Sequence, residues 1–453
     1  MEVGFETIGN ATLICHDRTP VLVTDPWIIG SAYFGSWKLS HEIPREQMDA
    51  ITSCKYVWLS HGHPDHMSGE SLDRLKGRTI LLPDHVGTRI ANSLQKEGFN
   101  VEILKDRVWT SLSPRIRILC ISDYNQDAIL LVDVNGALVV DLNDAADRGW
   151  RNFVREIIND YKETFLLRLF GYGDSDMINY FDEAGVRIES LAAKKFPVGK
   201  SIANAAEAYG VRYVIPFSSM HRYQRADSVW ANQYVTPLEA YQVGFTSNRC
   251  ELLPAFMRYD CLEKTVTEIK PEENPDTTLD SKIFGDDWSE TLDEHDFRKI
   301  DIYFRSISHI EETFDFINLR VGGKDNRSEF RKRNFQKGIT FEVPRNSLMQ
   351  AIEFEIFDDL LIGNFMKTIL EGKWPRTHTG LYPDFTPYVG KYADNGRAKT
   401  QEELKAYFRE YQQRSALDYL RHRIKSRVIE SLRPYVKANP ALYQFARRTC
   451  WWS

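Results

Sequence analysis

The chain has 453 residues, 42% of them hydrophobic and 27% charged, with a formal net charge of −6, which is an ordinary globular composition with room for two or three domains. It holds no apolar run of about 18 residues, so a transmembrane helix is excluded, and the opening Met-Glu-Val-Gly-Phe-Glu-Thr has neither the basic nor the apolar stretch of a secretory signal. Six cysteines (15, 54, 120, 250, 261 and 450) are scattered without a Cys-x-x-Cys pair, as expected of reduced thiols in a cytoplasmic protein.

The opening reads as β-structure at residues 3–8, 12–15 and 21–24, the last running into Asp25-Pro26-Trp27. A loop rich in glycine and aromatic residues follows (30–37), then a helix near 45–52 and an apolar strand from Lys55 to Ser60. That strand ends in His61-Gly-His63-Pro-Asp65-His66. Alternate residues of an extended chain face one way, so His61 and His63 converge, while Asp65 and His66 open the next helix and can serve a second ion. Three imidazoles and a carboxylate suit Zn, Fe or Mn rather than Ca or Mg. A His-rich loop with no metal is the plainer reading. Three of the chain's 11 histidines within six residues of a strand end argue against it.

Further strands are expected at 79–82, 117–120, 128–134 and 137–142, the last two joined by Asn135-Gly136, the strongest short hairpin signal. A helix at 204–209 and a buried strand at 213–217 close a first domain, residues 1–255. Residues 268–300 are acidic and read as a linker inside a second, α+β region, 256–396, where 347–359 is expected to be helical with 360–370 as its continuation. Residues 397–453 carry 13 Lys and Arg against 5 Asp and Glu, a basic tail on an acidic body. Within it Leu404, Phe408, Tyr411, Leu417, Leu420, Ile424, Val428 and Leu432 recur at helical steps. The tail is expected to be a solvated surface helix, or to dock on the body of this chain or a second copy and help cover the site, or to meet an anionic partner.

The pattern His61-x-His63-x-Asp65-His66 resembles the signature of the metallo-β-lactamase fold superfamily. That resemblance implies an α/β fold, an αββα sandwich with two metal ions at one edge, and later strands supplying three more ligands. The bridging acid falls on Asp144 or Asp141, with Asp144 favoured because the strand runs out there. The closing ligand falls on His221. Hydrolases of the superfamily carry a histidine before the strand at 128–134, where this chain has Ile121-Ser-Asp-Tyr-Asn-Gln-Asp127. Asp123 or Asp127 must then take the place, and Asp123 aligns better. Carboxylate in place of imidazole favours iron over zinc. The implied set is His61, His63 and Asp123 on one ion, Asp65, His66 and His221 on the other, and Asp144 bridging. Asp25 matches the family's early aspartate, which supports the motif histidines by hydrogen bonding. Asp25 and Tyr124 are the candidate catalytic residues, and Tyr124, Trp27, Trp37, His41 and Arg222 are candidate pocket residues that could equally be core or rim.

Within the superfamily, Asp25-Pro-Trp-Ile-Ile-Gly30, His41-Glu-Ile-Pro44, Val57 to His66, Asn143-Asp144, Pro216-Phe217 and Phe357-Asp-Asp-Leu-Leu-Ile-Gly363 resemble the CMP-N-acetylneuraminate hydroxylase family, over most of 1–395 and weakly after 255. The resemblance implies a diiron oxygenase, with Zn or Mn as the alternative metals. That family delivers electrons through a Rieske cluster, whose Cys-x-His and Cys-x-x-His elements do not occur in this sequence, so an external electron-transfer protein is expected. The expected reaction is hydroxylation of an activated sugar, an amino sugar or another small biosynthetic intermediate. The alternative is a dinuclear hydrolase of an ester, lactone or phosphodiester. A third reading, an interaction module on a degenerate site, is opposed by the intact ligand set. A homo-oligomer is compatible with the sequence, and no nucleic-acid signal is present.

Overall fold

A computed structural model describes residues 1–123, 127–146, 149–172, 177–330, 336–374, 381–390, 398–424 and 427. Tyr124, Cys450, Val428 and Leu432 lie outside the described residues. Among the described residues no helix is long and apolar enough to cross a membrane.

Two sheets face each other. The first has eight strands in the order Thr265–Glu268, Met257–Asp260, Val3–Ile8, Thr12–Asp17, Thr19–Thr24, Tyr56–Trp58, Thr79–Pro83, Asn100–Leu104. The second has seven, in the order Glu251–Leu252, Tyr213–Phe217, Glu163–Leu169, Ala137–Asn143, Ala128–Val134, Ile116–Ser122, Trp109–Ser113. Alternation along the strands separates two cores. Leu13, Leu22, Trp58 and Leu81 meet Ile118, Leu130, Val139 and Phe165 between the sheets. Their sequence neighbours Ile14, Val23, Val57 and Ile80, with Leu119, Leu131 and Val140 of the other sheet, belong to the helix-bearing core. That core takes in Ile51, Leu94, Val154 and Ile202 of the helices Arg45–Ser53, Arg89–Lys96, Arg151–Ile158 and Val198–Tyr209. This is an αββα sandwich, as the sequence implied. Asn135 and Gly136 both have positive φ (52° and 86°), the conformation a two-residue hairpin turn requires.

A third sheet, Tyr180–Asp182, Lys367–Gly372, Lys337–Glu342, Phe316–Val321, Lys324–Glu329 in spatial order, packs with the helices Glu294–Arg305, Arg345–Glu353 and Phe357–Ile362 around a core of its own.

Four expectations change. The sandwich does not stop at residue 255, because Met257–Asp260 pairs antiparallel with Val3–Ile8 and Thr265–Glu268 pairs with it in turn. The stretch 268–300 is not a free linker. Within it Asp286, fully buried, bonds Arg225 Nη1 at 2.7 Å and the backbone and hydroxyl of Ser347. Residues 360–370 do not continue a helix, since it ends at Ile362 with Asn364 at φ 56° and the chain turns into the strand Lys367–Gly372. Trp27 is a fully buried core residue and not a pocket wall.

The tail helix Gln401–Arg414 is capped by Thr400 and Glu403 in a reciprocal box and lies on the sandwich. Tyr411, 6% exposed, accepts from Val86 N at 2.8 Å. Arg414 bonds the Asp84 carbonyl and Arg107 pairs with Asp418 at 3.4 Å. The expected apolar stripe is not buried as a stripe: Leu417, Leu420 and Ile424 are 72%, 45% and 55% exposed. Leu404 packs against the core of the second region, and Tyr411 and the ion pairs make the contact with the sandwich.

Candidate metal centre

Strand ends from both sheets deliver the side chains to one rim, as is usual where ligands bind α/β sheets. Asp25 follows Thr19–Thr24, His61 follows Tyr56–Trp58, and Asp144 follows Ala137–Asn143. His221 opens a short strand, His221–Tyr223, that pairs with Trp37–Leu39. Asp25, Asn143 and Ser218 stand at φ 38°, 50° and 61°. Non-glycine residues seldom adopt this conformation, and it tends to collect at functional sites.

Two groups of the described residues bring ligand atoms of the motif together, His61 with His66 and Asp144, and His63 with Asp358 and Asp359. His61 Nε2 lies 3.0 Å from His63 Nδ1, too close for two lone pairs unless a proton or a cation sits between them. His66 Nε2 lies 3.2 Å from Asp65 Oδ2 and 3.3 Å from Asp144 Oδ2. His61, His66 and Asp144 offer ligand atoms within 4.8 Å of one another. His221 stacks on Trp37 with centroids 3.5 Å apart and planes at 4°. It is buried, and neither ring nitrogen has a hydrogen-bond partner among the described residues. Buried polar groups are nearly always partnered, so this imidazole has a lone pair that an ion or a ligand would satisfy.

The supporting bonds are dense. Asp25 accepts from Ser60 N and Ser60 Oγ, both at 2.7 Å, and from Asn143 Nδ2 at 2.6 Å, and its Oδ2 lies 3.2 Å from His66 Nδ1. Asp65 accepts from Tyr33 Oη at 2.6 Å and Asn10 Nδ2 at 2.9 Å, and Ser218 Oγ donates to Asp144. Asp141 is fully buried and takes the Asn143 backbone N–H at 3.1 Å. Asp123 and Asp127 are both buried at the mouth of one hairpin, joined by Asp123 N to Asp127 O at 2.9 Å. Asp127 Oδ1 comes within 3.5 Å of His61 Nδ1, and Asp123 lines a crevice shared with Tyr411 of the tail. His41 pairs loosely with Glu273 at 4.0 Å on the side of Phe256, and Arg222 is partly exposed.

The titration pattern follows from burial and charge. Burial, then His66 and His63, hold His61 well below the ordinary histidine value. Burial likewise lowers His221 to about 4. Both are neutral at pH 7 and present lone pairs. Burial would raise Asp65, but His66, His63 and Tyr33 outweigh it and keep the carboxylate ionised. Burial would lower His66, but Asp65, Asp144 and Asp25 raise it well above its usual value. Burial would lower His63 as well, but Asp358, Asp359 and Asp65 raise it to about 9. The carboxylates thus hold protons on His63 and His66 where a cation would compete for the same ring nitrogens, while His61 and His221 already offer lone pairs.

The sequence reading missed several participants. Tyr33 and Asn10 bind Asp65, and Asn143 ties Asp25 to Ser60. His85 lines a cavity of about 170 Å³ with Ser60, His61, Leu82 and Ile90. Asp358 Oδ2 lies 3.4 Å from His63 Nε2. Tyr33, Asn10 and His85 lie in loops, Asn143 ends the strand Ala137–Asn143, and Asp358 belongs to the second region, so no periodicity marks them.

Sheet order and motif together are those of the metallo-β-lactamase fold. It is similar to cytidine monophosphate-N-acetylneuraminic acid hydroxylases. The protein of that name from Asterias rubens is 29% identical over 159 residues, 32% of this chain and 24% of the relative. The one from Danio rerio is 28% identical over 152 residues, 32% of this chain and 26% of the relative. The match thus spans about a quarter of these relatives' length. Among solved structures, CmlA, a diiron β-hydroxylase from Streptomyces venezuelae, aligns with a TM-score of 0.35 and 16% identity over 53% of this chain and 48% of its own. The metallo-β-lactamase fold protein YhfI of Bacillus subtilis aligns at 0.31 and 13%, over 55% and 88%. No family model matches the chain.

Proposed function

We propose that the chain is a diiron hydroxylase acting on a small biosynthetic intermediate such as an activated sugar or amino sugar. His61, His63 and Asp123 would hold one ion, Asp65, His66 and His221 the other, and Asp144 would bridge them. The observation that carries the choice of iron is the segment before Ala128–Val134, which has two buried carboxylates, Asp123 and Asp127, and no histidine. Oxygen donors at that place favour iron over zinc. Likeness to the hydroxylases supports the same reading.

Bound iron would supply the redox chemistry of dioxygen, which no side chain provides. Hydroxylation of a C–H bond by dioxygen releases the second oxygen atom as water and needs two electrons, which a separate electron-transfer protein would supply, and two protons from solvent. The chain's own residues hold and orient. Asp25, Ser60 and Asn143 fix the His66 ring, Trp37 fixes His221, and Tyr33 and Asn10 hold Asp65. Burial of this shell keeps water from the reacting centre.

The test is metal analysis and an optical spectrum of the full chain purified from iron-supplemented cells. A stoichiometric iron pair with ligand-to-iron absorption supports the proposal. Zinc alone, with ester or phosphodiester hydrolysis undiminished without oxygen, would replace it with the hydrolase reading.

A further inference from the structure

The helix Phe357–Ile362 belongs to the second region, yet every residue in it is buried and its end is fastened to the first. Ser36 Oγ donates to the Gly363 carbonyl at 2.6 Å, and Asn364 Nδ2 donates to Tyr223 Oη at 2.8 Å, on the strand that begins with His221. So fixed, the helix presents Asp358, 1% exposed, with Oδ2 3.4 Å from His63 Nε2. The other oxygen, Oδ1, is buried and has no hydrogen-bond partner among the described residues.

We propose that Asp358 is a positioning residue of the metal centre: it takes the Nε2–H of His63 and so turns Nδ1 toward the ion shared with His61. The geometry divides the His63 ring in this way, Nδ1 lying 3.0 Å from His61 Nε2 and Nε2 facing the carboxylate. Metal-bound histidines commonly donate their second nitrogen to a carboxylate, which fixes tautomer and orientation. Here that carboxylate stands 295 positions along the chain from the ligand, so the second region completes the centre instead of decorating it. An isolated buried carboxylate is costly, and a partner in a metal-binding imidazole gives this one a reason to be there. The inference rests on the motif binding metal.

The test uses the full chain as wild type, Asp358→Asn and Asp358→Ala, titrated with Co²⁺ against a competing chelator. The visible Co²⁺ spectrum and the melting temperature of the metal-free protein are read alongside. Asp358→Ala is expected to bind Co²⁺ about 10–100-fold more weakly, with a changed spectrum and a metal-free melting temperature no lower than wild type. Asp358→Asn, which keeps shape and one acceptor, is expected to fall between them. Unchanged affinity and spectrum in both variants overturn the proposal. So does a lower metal-free melting temperature with unchanged affinity in the folded protein, which marks a purely structural role. Loss of one whole equivalent of Co²⁺ also overturns it, since Asp358 would then ligate an ion of its own with His63 and Asp359. Failure of the wild type to bind Co²⁺ would instead remove the metal reading itself.

Discussion

Asn143 Nδ2 donates to Asp25 Oδ2 at 2.6 Å, and both residues hold left-handed backbone at the ends of strands in opposite sheets. The bond closes the rim of the sandwich directly behind His66, whose Nδ1 lies 3.2 Å from the same oxygen. One carboxylate therefore ties the two sheets together and aims the His66 ring.

Replacing Asp25 with Asn separates charge from shape, since Asn tolerates positive φ. The variant places an amide N–H₂ among donors and removes the acceptor that holds His66. Stability is expected to fall by about 1–3 kcal/mol and metal affinity by roughly 10–100-fold. Chemical denaturation and metal competition measure the two. An unaltered affinity would show that His66 is oriented by its other neighbours.

His61→Ala and His63→Ala are each expected to remove metal from the first position while the protein stays folded. Both rings sit on the rim, outside the core between the sheets. Metal stoichiometry by elemental analysis, with circular dichroism as the control for folding, decides the matter. Full stoichiometry in either variant contradicts the assignment of that residue.

Asp123 and Asp127 can be told apart by the same measurement. Asp127 approaches His61 at Nδ1, the nitrogen turned away from His63, which suits support more than ligation. Asp123→Ala is expected to lower iron stoichiometry, Asp127→Ala to leave it intact but weaken binding, and Asp123→His to shift preference toward zinc. Loss of stoichiometric iron in Asp127→Ala alone would exchange the two roles.

The motif and the two-residue turn were legible because local spacing dictates them: His61 and His63 by alternation, Asn135-Gly136 by backbone conformation. The sandwich was legible through the superfamily resemblance, and its strands through short apolar runs. Asp358 and Tyr33 were not, because their partners lie far along the chain. The helix–strand switch after Ile362 was misread because apolar residues at 360–362 and 369–370 look alike until Asn364 adopts positive φ. The tail's stripe misled for a related reason. Periodicity identifies an apolar face but not whether a surface awaits it, and among the described residues of that face only Tyr411 is buried.

Deleting residues 401–453 removes Tyr411 from His85 and Val86 and breaks the pairs Arg414–Asp84 and Arg107–Asp418. The truncated protein is expected to melt several degrees lower, at roughly 2–4 °C per kcal/mol for a domain of this size class. Salt at 1 M, where the Debye length is about 3 Å, should reproduce only part of the loss, because the Tyr411 contact is apolar and hydrogen-bonded. An unaltered melting temperature would show that the docked helix contributes nothing to the body.

The same contact sets a pH dependence. Burial lowers His85 from 6.5 to about 4, and the nearby Arg414 adds to the effect. The folded protein therefore refuses a proton that the unfolded chain accepts below about pH 6.5. Stability tied to His85 is complete above that value, declines as pH falls toward 4, and levels off below it, a loss of up to about 3 kcal/mol. Tyr411 Oη, 3.2 Å from His85 Nδ1, is an apt donor to the neutral ring and faces a second donor once the ring is protonated. The difference in urea midpoint between wild type and His85→Gln isolates the effect, because groups that titrate alike in both proteins cancel. That difference is expected to move against the wild type between pH 6.5 and 4, and to move less when Tyr411 is absent. A constant difference across the window would mean that His85 opens to solvent before it titrates.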